Sequence, residues 1–252
     1  MTGARNRRAA SRPVGDAESS TREHLLDAAE ELFGEHGYAA TSLRRLTTAA
    51  AANLAAVNYH FGGKEGLAKA VLARRIEPIN TERLRRLDAL HGRRRTVAAI
   101  VRAFVEPPFA TDGKAAACGT TTPGGQLCRV FGRIMIEQPP FLREFLAAQF
   151  GEVGARFAAE LERAAPRLDR TAVWWRLHFM VGALAHTLQN AAMSNHLSAG
   201  RCDPDDTERM IEELVAFTTG GLRTAAPKRR ARKARSGRAK PARKPAGKAV
   251  RS

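Results

Sequence analysis

Apolar residues along most of this chain recur at three- and four-residue steps, which is the spacing of one face of an α-helix. Leu43 and Leu46 begin one such face directly after Thr41 and Ser42, whose side chains can cap the first turn of a helix. A second short helix is expected after Asn53, with core positions four residues apart. The pattern therefore predicts two short helices around a tight bend, an arrangement that fits the major groove of DNA.

Helical spacing continues through the rest of the chain, and proline or glycine residues separate the segments. The stretch from Thr111 to Gly125 is rich in Thr, Ala and Gly and is expected to be a loop. The predicted fold class is all-α, with a helix-turn-helix head and a larger helical body. The further helices are predicted over Lys64 to Glu77 with an end at Pro78, Thr81 to Leu90, Val97 to Val105, Leu127 to Glu137, Phe141 to Arg163, a long helix after Pro166, and Asp205 to Phe217.

The second short helix, with Val57 and Phe61 as its core positions, leaves a free face for an outside partner. Small residues such as Ala55 let a helix backbone approach base edges, and the amide of Asn58 can pair with adenine through two hydrogen bonds. Lys64 follows two glycines near the start of a further helix, where backbone N–H groups and an ammonium suit a phosphate. The residues on the free face are Leu54, Ala55, Ala56, Asn58, Tyr59 and His60.

The run Tyr59-His60-Phe61, followed by Gly62-Gly63-Lys64-Glu65, resembles the TetR family of bacterial repressors, whose recognition helix ends in Tyr-His-Phe before Gly-Ser-Lys-Glu. An upstream apolar stripe closed by Gly37 is similar to the family's first helix and consists of Leu25, Ala28, Ala29, Leu32 and Phe33. The resemblance covers about residues 21–67. Together with the helix faces, it implies DNA contacts at Thr41, Ser42, Arg44, Arg45, Asn53, Leu54, Ala55, Ala56, Asn58, Tyr59, His60 and Lys64.

The chain departs from this family pattern at the bend. The family usually has Gly followed by Val there, whereas this chain has Ala51 and Ala52, and a positive φ costs alanine up to about 1 kcal/mol relative to glycine. Gly63 also replaces the serine that normally caps the next helix. The run from Asn53 to Phe61 resembles a subgroup that includes fatty-acid-responsive repressors. This resemblance implies an apolar effector such as a fatty acid or an acyl thioester.

The positive charge of the chain is concentrated at its C-terminal end. Residues 225–252 contain 12 Lys and Arg and no acidic residue, and the remaining excess over residues 21–224 is only +3 of the total +17. Such a composition cannot bury enough apolar surface to fold. The predicted organisation is a flexible basic arm (1–20), a DNA-binding head (21–67), an effector-binding and dimerisation body (68–224) and a disordered basic tail (225–252).

The segment from Leu177 to Gly200 contains no charged residue. Its length would suit a membrane span, but scattered histidine and amide side chains would be costly in hydrocarbon. We expect instead a helix covered by its own subunit and by a partner, and TetR-family proteins pair their last two helices in a homodimer. Three cysteines without a CxxC pair, and an N-terminus without an apolar run, predict a cytoplasmic protein that joins the nucleoid when bound to DNA.

No catalytic, metal-binding or cofactor-binding pattern is present in the sequence. His178 and His186 would lie about 12 Å apart along a helix, which is too far to share one ion. Large side chains at helical spacing either belong to the core or line an effector pocket. The candidates for such a pocket are Phe104, Phe131, Met135, Trp174, Trp175, His178 and Phe179.

The sequence thus predicts a ligand-responsive repressor that binds a palindromic operator in double-stranded DNA as a homodimer, with a small molecule as effector. One alternative is a nucleoid-associated protein that binds DNA mainly through its tail, because each Lys or Arg placed on a phosphate releases counterions. A second alternative for the tail is that its positive charge only aids solubility. An enzyme is the remaining alternative, and it would need a convergent polar constellation.

Overall fold

The computed structural model describes residues 14–90, 92, 95–109 and 123–227, and the described residues form helices joined by short connections, with no strand among them. This confirms the all-α prediction. A short 3-10 turn, Pro107–Phe109, follows the fifth helix. The helices are α1 (Val14–His36), α2 (Leu43–Ala49), α3 (Leu54–Phe61), α4 (Lys64–Asp88), α5 (Val97–Val105), α6 (Pro123–Glu137), α7 (Leu142–Ala164), α8 (Arg170–Leu197) and α9 (Thr207–Arg223).

The head consists of α1, α2, α3 and the first half of α4, but its hydrophobic core extends beyond these helices. Phe33 of α1 and Leu72 of α4 are fully buried in this head core. Ile134 of α6 is also fully buried in it, and Phe141 and Phe145 close it from the start of α7. Two helices of the body are therefore part of the packing that supports the DNA-facing helices.

The body has a second hydrophobic core, formed by α5, α7, α8 and α9. Phe104 of α5 and Phe157 of α7 meet edge to face at its centre, with ring centroids 5.1 Å apart. Leu161, Met180 and Leu222 are almost completely buried around them. Packing of this density fixes the four helices relative to one another.

The connector between head and body is one continuous helix. The sequence predicted an end at Pro78 and a new helix from Thr81, and this prediction is wrong because α4 runs through to Asp88. Proline removes one hydrogen bond from a helix, at the carbonyl four residues earlier. Pro78 is exposed, so water can reach that carbonyl, and buried contacts on either side, at Ile76 and Asn80, keep the two halves in line.

A buried arginine ties α4 to the end of α5. Arg83 is 5% exposed, and its Nε donates to the Phe104 carbonyl at 2.9 Å while Nη1 donates to Asn80 Oδ1 at 3.1 Å. In a continuing helix the Phe104 carbonyl would receive the N–H of residue 108, which is a proline. The guanidinium supplies the missing donor. Burial lowers the pKa of Arg83 to about 9, so the group remains charged at neutral pH.

Several predicted boundaries shift. α1 begins at Val14, so part of the arm predicted over 1–20 is helical, and α6 begins at Pro123 instead of Leu127. α9 extends past Phe217 to Arg223, because buried Leu222 continues its inner face and the Arg176 guanidinium donates to carbonyls at its end. Residues 1–13, most of the predicted 111–125 loop, and the tail from 228 onwards lie outside the described residues.

The bend between α2 and α3 generates a stability prediction. Ala51 has a φ of 48°, so the positive φ that family members give to glycine is adopted here by alanine. We expect Ala51→Gly to raise the free energy of unfolding by about 0.5–1 kcal/mol in urea titrations, because glycine has no Cβ to strain this conformation. Ala49→Gly, in the last turn of α2, is the control and should lower it by a similar amount. A loss of stability in both variants would contradict the argument.

Candidate DNA-binding interface

The N-caps of α2 and α3 fix where these helices begin, and one buried side chain fixes which face of α3 packs on the protein. Ser42 Oγ accepts a hydrogen bond from the Arg45 N–H at 3.2 Å, and Asn53 Oδ1 accepts one from the Ala56 N–H at 2.8 Å. Each bond satisfies a backbone donor that the first helical turn leaves free. Val57 is fully buried under the middle of α3. The predicted N-caps are therefore found at the predicted residues, and α3 is held with one face inward.

The opposite face of α3 points away from the protein. Leu54 is 51% exposed and Tyr59 is 76% exposed, and Ala55 and Asn58 are exposed between them. This face offers a small apolar residue, an amide and a phenol side by side. Such groups contact base edges and phosphates when a helix enters the major groove.

Two other residues predicted for this face are only half-accessible. Ala56 and His60 are both half-buried, and the His60 ring lies against Tyr59 and Phe61, with centroids 5.0 and 6.1 Å away. The Arg22 guanidinium covers the Phe61 ring from α1, at 5.5 Å from its centroid. His60 can therefore hold the exposed Tyr59 ring in place and can also contact DNA.

The outer face of α2 carries two arginines. Arg44 is exposed and has no carboxylate partner within the described ranges, which leaves its guanidinium available to an anion. The Arg45 guanidinium lies beside the His36 ring, so α1 and α2 are joined at this corner. Both side chains remain predicted DNA contacts.

Lys64 begins α4, next to the C-terminal end of α3, but its ammonium is already engaged. Nζ lies 4.4 Å from the centroid of the Tyr38 ring and donates to the Ala39 carbonyl at 3.4 Å. Burial lowers the pKa of Lys64, and the nearby Glu137 carboxylate opposes that shift. Gly63 gives α4 no side-chain cap, as the sequence suggested. A phosphate would have to compete with the Ala39 carbonyl for this ammonium.

The side chain of Thr41, which the sequence placed among the DNA contacts, is completely buried. Its hydroxyl donates towards the Gly37 carbonyl at 2.7 Å, with the Leu32 carbonyl at 3.2 Å. A direct contact from this hydroxyl to DNA is therefore ruled out in this conformation, and Thr41 is a structural residue of the head. The prediction failed because an N-cap type of residue before a helix carries no sign of burial.

Sequence reasoning missed the contact that joins this surface to the body. Glu137, the last residue of α6, accepts a hydrogen bond from the Ala39 N–H at 2.8 Å across a separation of 98 residues. Burial, followed by the nearby carboxylates of Glu65 and Glu137, raises the pKa of the Tyr38 phenol beside it. The only local signal was a carboxylate just before two prolines, which has no specificity.

The residues predicted to line one effector pocket do not surround a common space. Phe104 is in the body core, whereas Phe131 packs against the head core and Met135 is partly exposed on α6. Four others lie on the exposed side of α8, where large side chains resemble core positions in sequence but remain exposed to solvent. These four are Trp174, Trp175, His178 and Phe179.

A groove of about 550 Å³ lies between α5 and α9, and none of the predicted pocket residues lines it. Half of its lining residues are charged, namely Arg102, Arg209, Glu212, Glu213 and Arg223. Where the structure describes the chain, no three His, Cys, Asp or Glu residues gather as a metal site would require. None of the described helices has the length and apolarity needed to cross a membrane.

Comparison with known proteins gives two family models on this chain. The model "Bacterial regulatory proteins, tetR family" matches residues 25–71, and "Tetracyclin repressor-like, C-terminal domain" matches residues 102–221. The transcriptional repressor AcnR of Corynebacterium glutamicum is 39% identical over 54 residues. That alignment covers 21% of this chain and 29% of AcnR, so the likeness to AcnR is confined to under a third of its length.

Solved structures share the whole fold at low sequence identity. The chain overlaps the fatty acid degradation regulator FadR of Bacillus halodurans with a TM-score of 0.58 and 15% identity, over 81% of this chain and 96% of FadR. It overlaps GusR of Salmonella enterica with a TM-score of 0.57 and 19% identity, over 85% and 99% of the two chains. These overlaps establish the architecture and leave the ligand open.

The outward face of α3 on a capped helix-turn-helix, joined to a helical body, defines a DNA-binding regulator of transcription and not an enzyme. One family model matches residues of the head and the other matches residues of the body, so the chain belongs to the TetR family.

Proposed function

We propose that this chain is a transcriptional repressor that binds a two-fold symmetric operator as a homodimer and releases it in response to a small molecule. The observation that carries the proposal is the exposed Leu54, Ala55, Asn58 and Tyr59 face of α3, on a helix otherwise fixed by its cap and by Val57. A helix of eight residues with such a face can enter the major groove with its N-terminal end first.

Base reading is assigned to α3 and phosphate contacts to its surroundings. Asn58 can make paired hydrogen bonds to adenine, and Ala55 can touch a thymine methyl group. Arg44, Arg45 and Lys64 flank α3 and would set its register on the duplex, since phosphate contacts position a protein without selecting a sequence. The tetR-family model matches residues 25–71, which supports this role for the head.

Homodimer formation is supported by the exposed apolar surface of α8 and α9. Trp175 and Phe179 are 58% and 60% exposed and stack with centroids 5.8 Å apart. Met193, Leu197 and, on α9, Phe217 continue the surface, with exposures of 56%, 78% and 71%. Apolar patches of this kind mark interaction surfaces. A second copy of the same two helices is the partner that a two-fold symmetric operator requires.

The operator is tested with a DNA fragment from the region upstream of the chain's own gene, titrated against unrelated competitor over a salt series. We expect specific binding, and we expect Tyr59→Ala and Asn58→Ala each to weaken it by about 1–3 kcal/mol without loss of stability. Thr81→Ala, which removes an exposed and uncharged side chain of α4 outside the α3 face, is the control variant.

A chain truncated after Pro227 separates the repressor from a nucleoid-associated protein. The cut is placed there because the Arg176 guanidinium binds the carbonyls of Thr224 and Ala225, which must remain. We expect the truncated chain to keep its preference for the operator with a shallower salt dependence, because twelve basic residues are lost. Equal binding to competitor, abolished by the truncation, would favour the nucleoid-associated protein.

The dimer is tested by sedimentation of Phe179→Arg. We expect the unmodified protein to sediment at twice the chain mass of 27.4 kDa and the variant to shift towards monomer, with weaker operator binding. A charge forced into an apolar interface is costly to desolvate. Ile136→Arg is the matched control, because Ile136 is 83% exposed and belongs to α6, outside the apolar surface of α8 and α9. A dimer that persists in Phe179→Arg would place the interface elsewhere.

The proposed effector is an apolar acid, either a long-chain fatty acid or its acyl thioester. The run from Asn53 to Phe61 resembles fatty-acid-responsive repressors, and FadR, which shares the fold, is named for fatty acid degradation. The charged groove between α5 and α9 does not suit an acyl chain, so binding would occur at a different place in the body.

Addition of fatty acids and acyl thioesters of increasing chain length to the operator complex tests this class. We expect release at the longer lengths, since each buried CH₂ contributes about 0.8 kcal/mol, and a matching rise in the melting temperature of the free protein. Operator affinity that stays constant across the whole series would rule this class of effector out.

A further inference from the structure

We propose that Glu137 is a positioning residue for DNA recognition, which holds the α1–α2 turn (residues 37–42) in place from the body. The inference rests on the proposed operator binding through the head. Glu137 lies at the C-terminal end of α6, outside α2 and α3, and contributes no group to the DNA-facing surface. Its effect on DNA is transmitted through the backbone of the turn.

Two features of the turn fit the same carboxylate. Oε2 of Glu137 accepts the Ala39 N–H at 2.8 Å. Gly37 has a φ of 86°, and a Cβ built on it would lie 1.9 Å from Glu137 Oε1. The positive φ favours glycine at position 37, and without a Cβ there the Glu137 carboxylate can lie directly against the turn. The turn and the end of α6 are complementary in shape and in hydrogen bonding.

The same turn is held from its other side by α4 and α7. Lys64 donates to the carbonyl of Ala39, so the backbone N–H and C=O of that residue each have a partner from another element. The Tyr38 ring packs edge to face on Phe141, with centroids 5.3 Å apart. Attraction by Glu137 opposes the burial that lowers the pKa of Lys64. Removal of the carboxylate would leave the Ala39 N–H without its partner, while the contacts of Lys64 and Phe141 with the turn remain.

The position of the turn decides where α2 and its arginines lie. Thr41 is buried and bound to the Gly37 carbonyl, and Ser42 caps α2 immediately after it. A shift of residues 37–40 would therefore move the start of α2 and, with it, Arg44. Ala39 and Glu137 are both exposed, so water can replace the lost bond and the fold should survive.

The test compares Glu137→Ala, Glu137→Gln and the control Glu31→Ala in the full-length chain. Loss of a carboxylate alone removes repulsion from DNA and should tighten binding, as expected for Glu31, which is exposed on α1. If Glu137 positions the turn, Glu137→Ala should instead weaken binding to the operator. We expect about tenfold weaker operator binding, competitor binding that is not weakened, and an unchanged circular dichroism spectrum. Glu137→Gln keeps an oxygen acceptor for Ala39 and should restore operator affinity.

Operator binding by Glu137→Ala that equals or exceeds that of the unmodified protein would overturn the inference. An unmodified protein that does not prefer operator over competitor would instead refute the proposed function, so the two failures are distinguishable. Hydrogen exchange of the Ala39 amide in the unmodified protein provides a measurement that does not depend on the variants. Protection is expected, and exchange at the rate of a free amide would also overturn the inference.

Discussion

The DNA-facing helices of this protein rest on a hydrophobic core that the head cannot complete by itself. Ile134 from α6, Phe145 from α7 and Phe141 directly before α7 are buried among the side chains of α1 and α4. A core of this small size gains little free energy unless it is fully packed. The orientation of α3 therefore depends on helices of the body, and a change in the position of α6 would alter the packing of the head core.

This shared core joins the separate parts of the structure into one account. α4 passes from the head core to the body core as one helix, and Arg83 fastens it to the end of α5. Glu137 adds a polar contact between the end of α6 and the head, and we propose that it holds the turn that leads into α2. In the proposed homodimer, a second copy would bind at the exposed surface of α8 and α9 and so fix the distance between the two heads.

Local features of the head could be predicted from the sequence because local rules determine them. The caps at Ser42 and Asn53 and the inward position of Val57 follow from residue type and helical spacing. The continuity of α4 through Pro78 could not, because it depends on packing by distant residues. Thr41 and Glu137 were misjudged or missed for the same reason, since their roles depend on partners that the sequence does not place beside them.

The dependence of the head on the body is tested most directly by a fragment of residues 14–90, which contains α1 to α4 without α6 and α7. We expect its amide proton spectrum to be poorly dispersed and its thermal unfolding to be broad, because the removed helices supply part of the head core. The full-length chain should unfold cooperatively. A fragment with a well-dispersed spectrum and a sharp unfolding transition would contradict the account, since the head would then fold without the body.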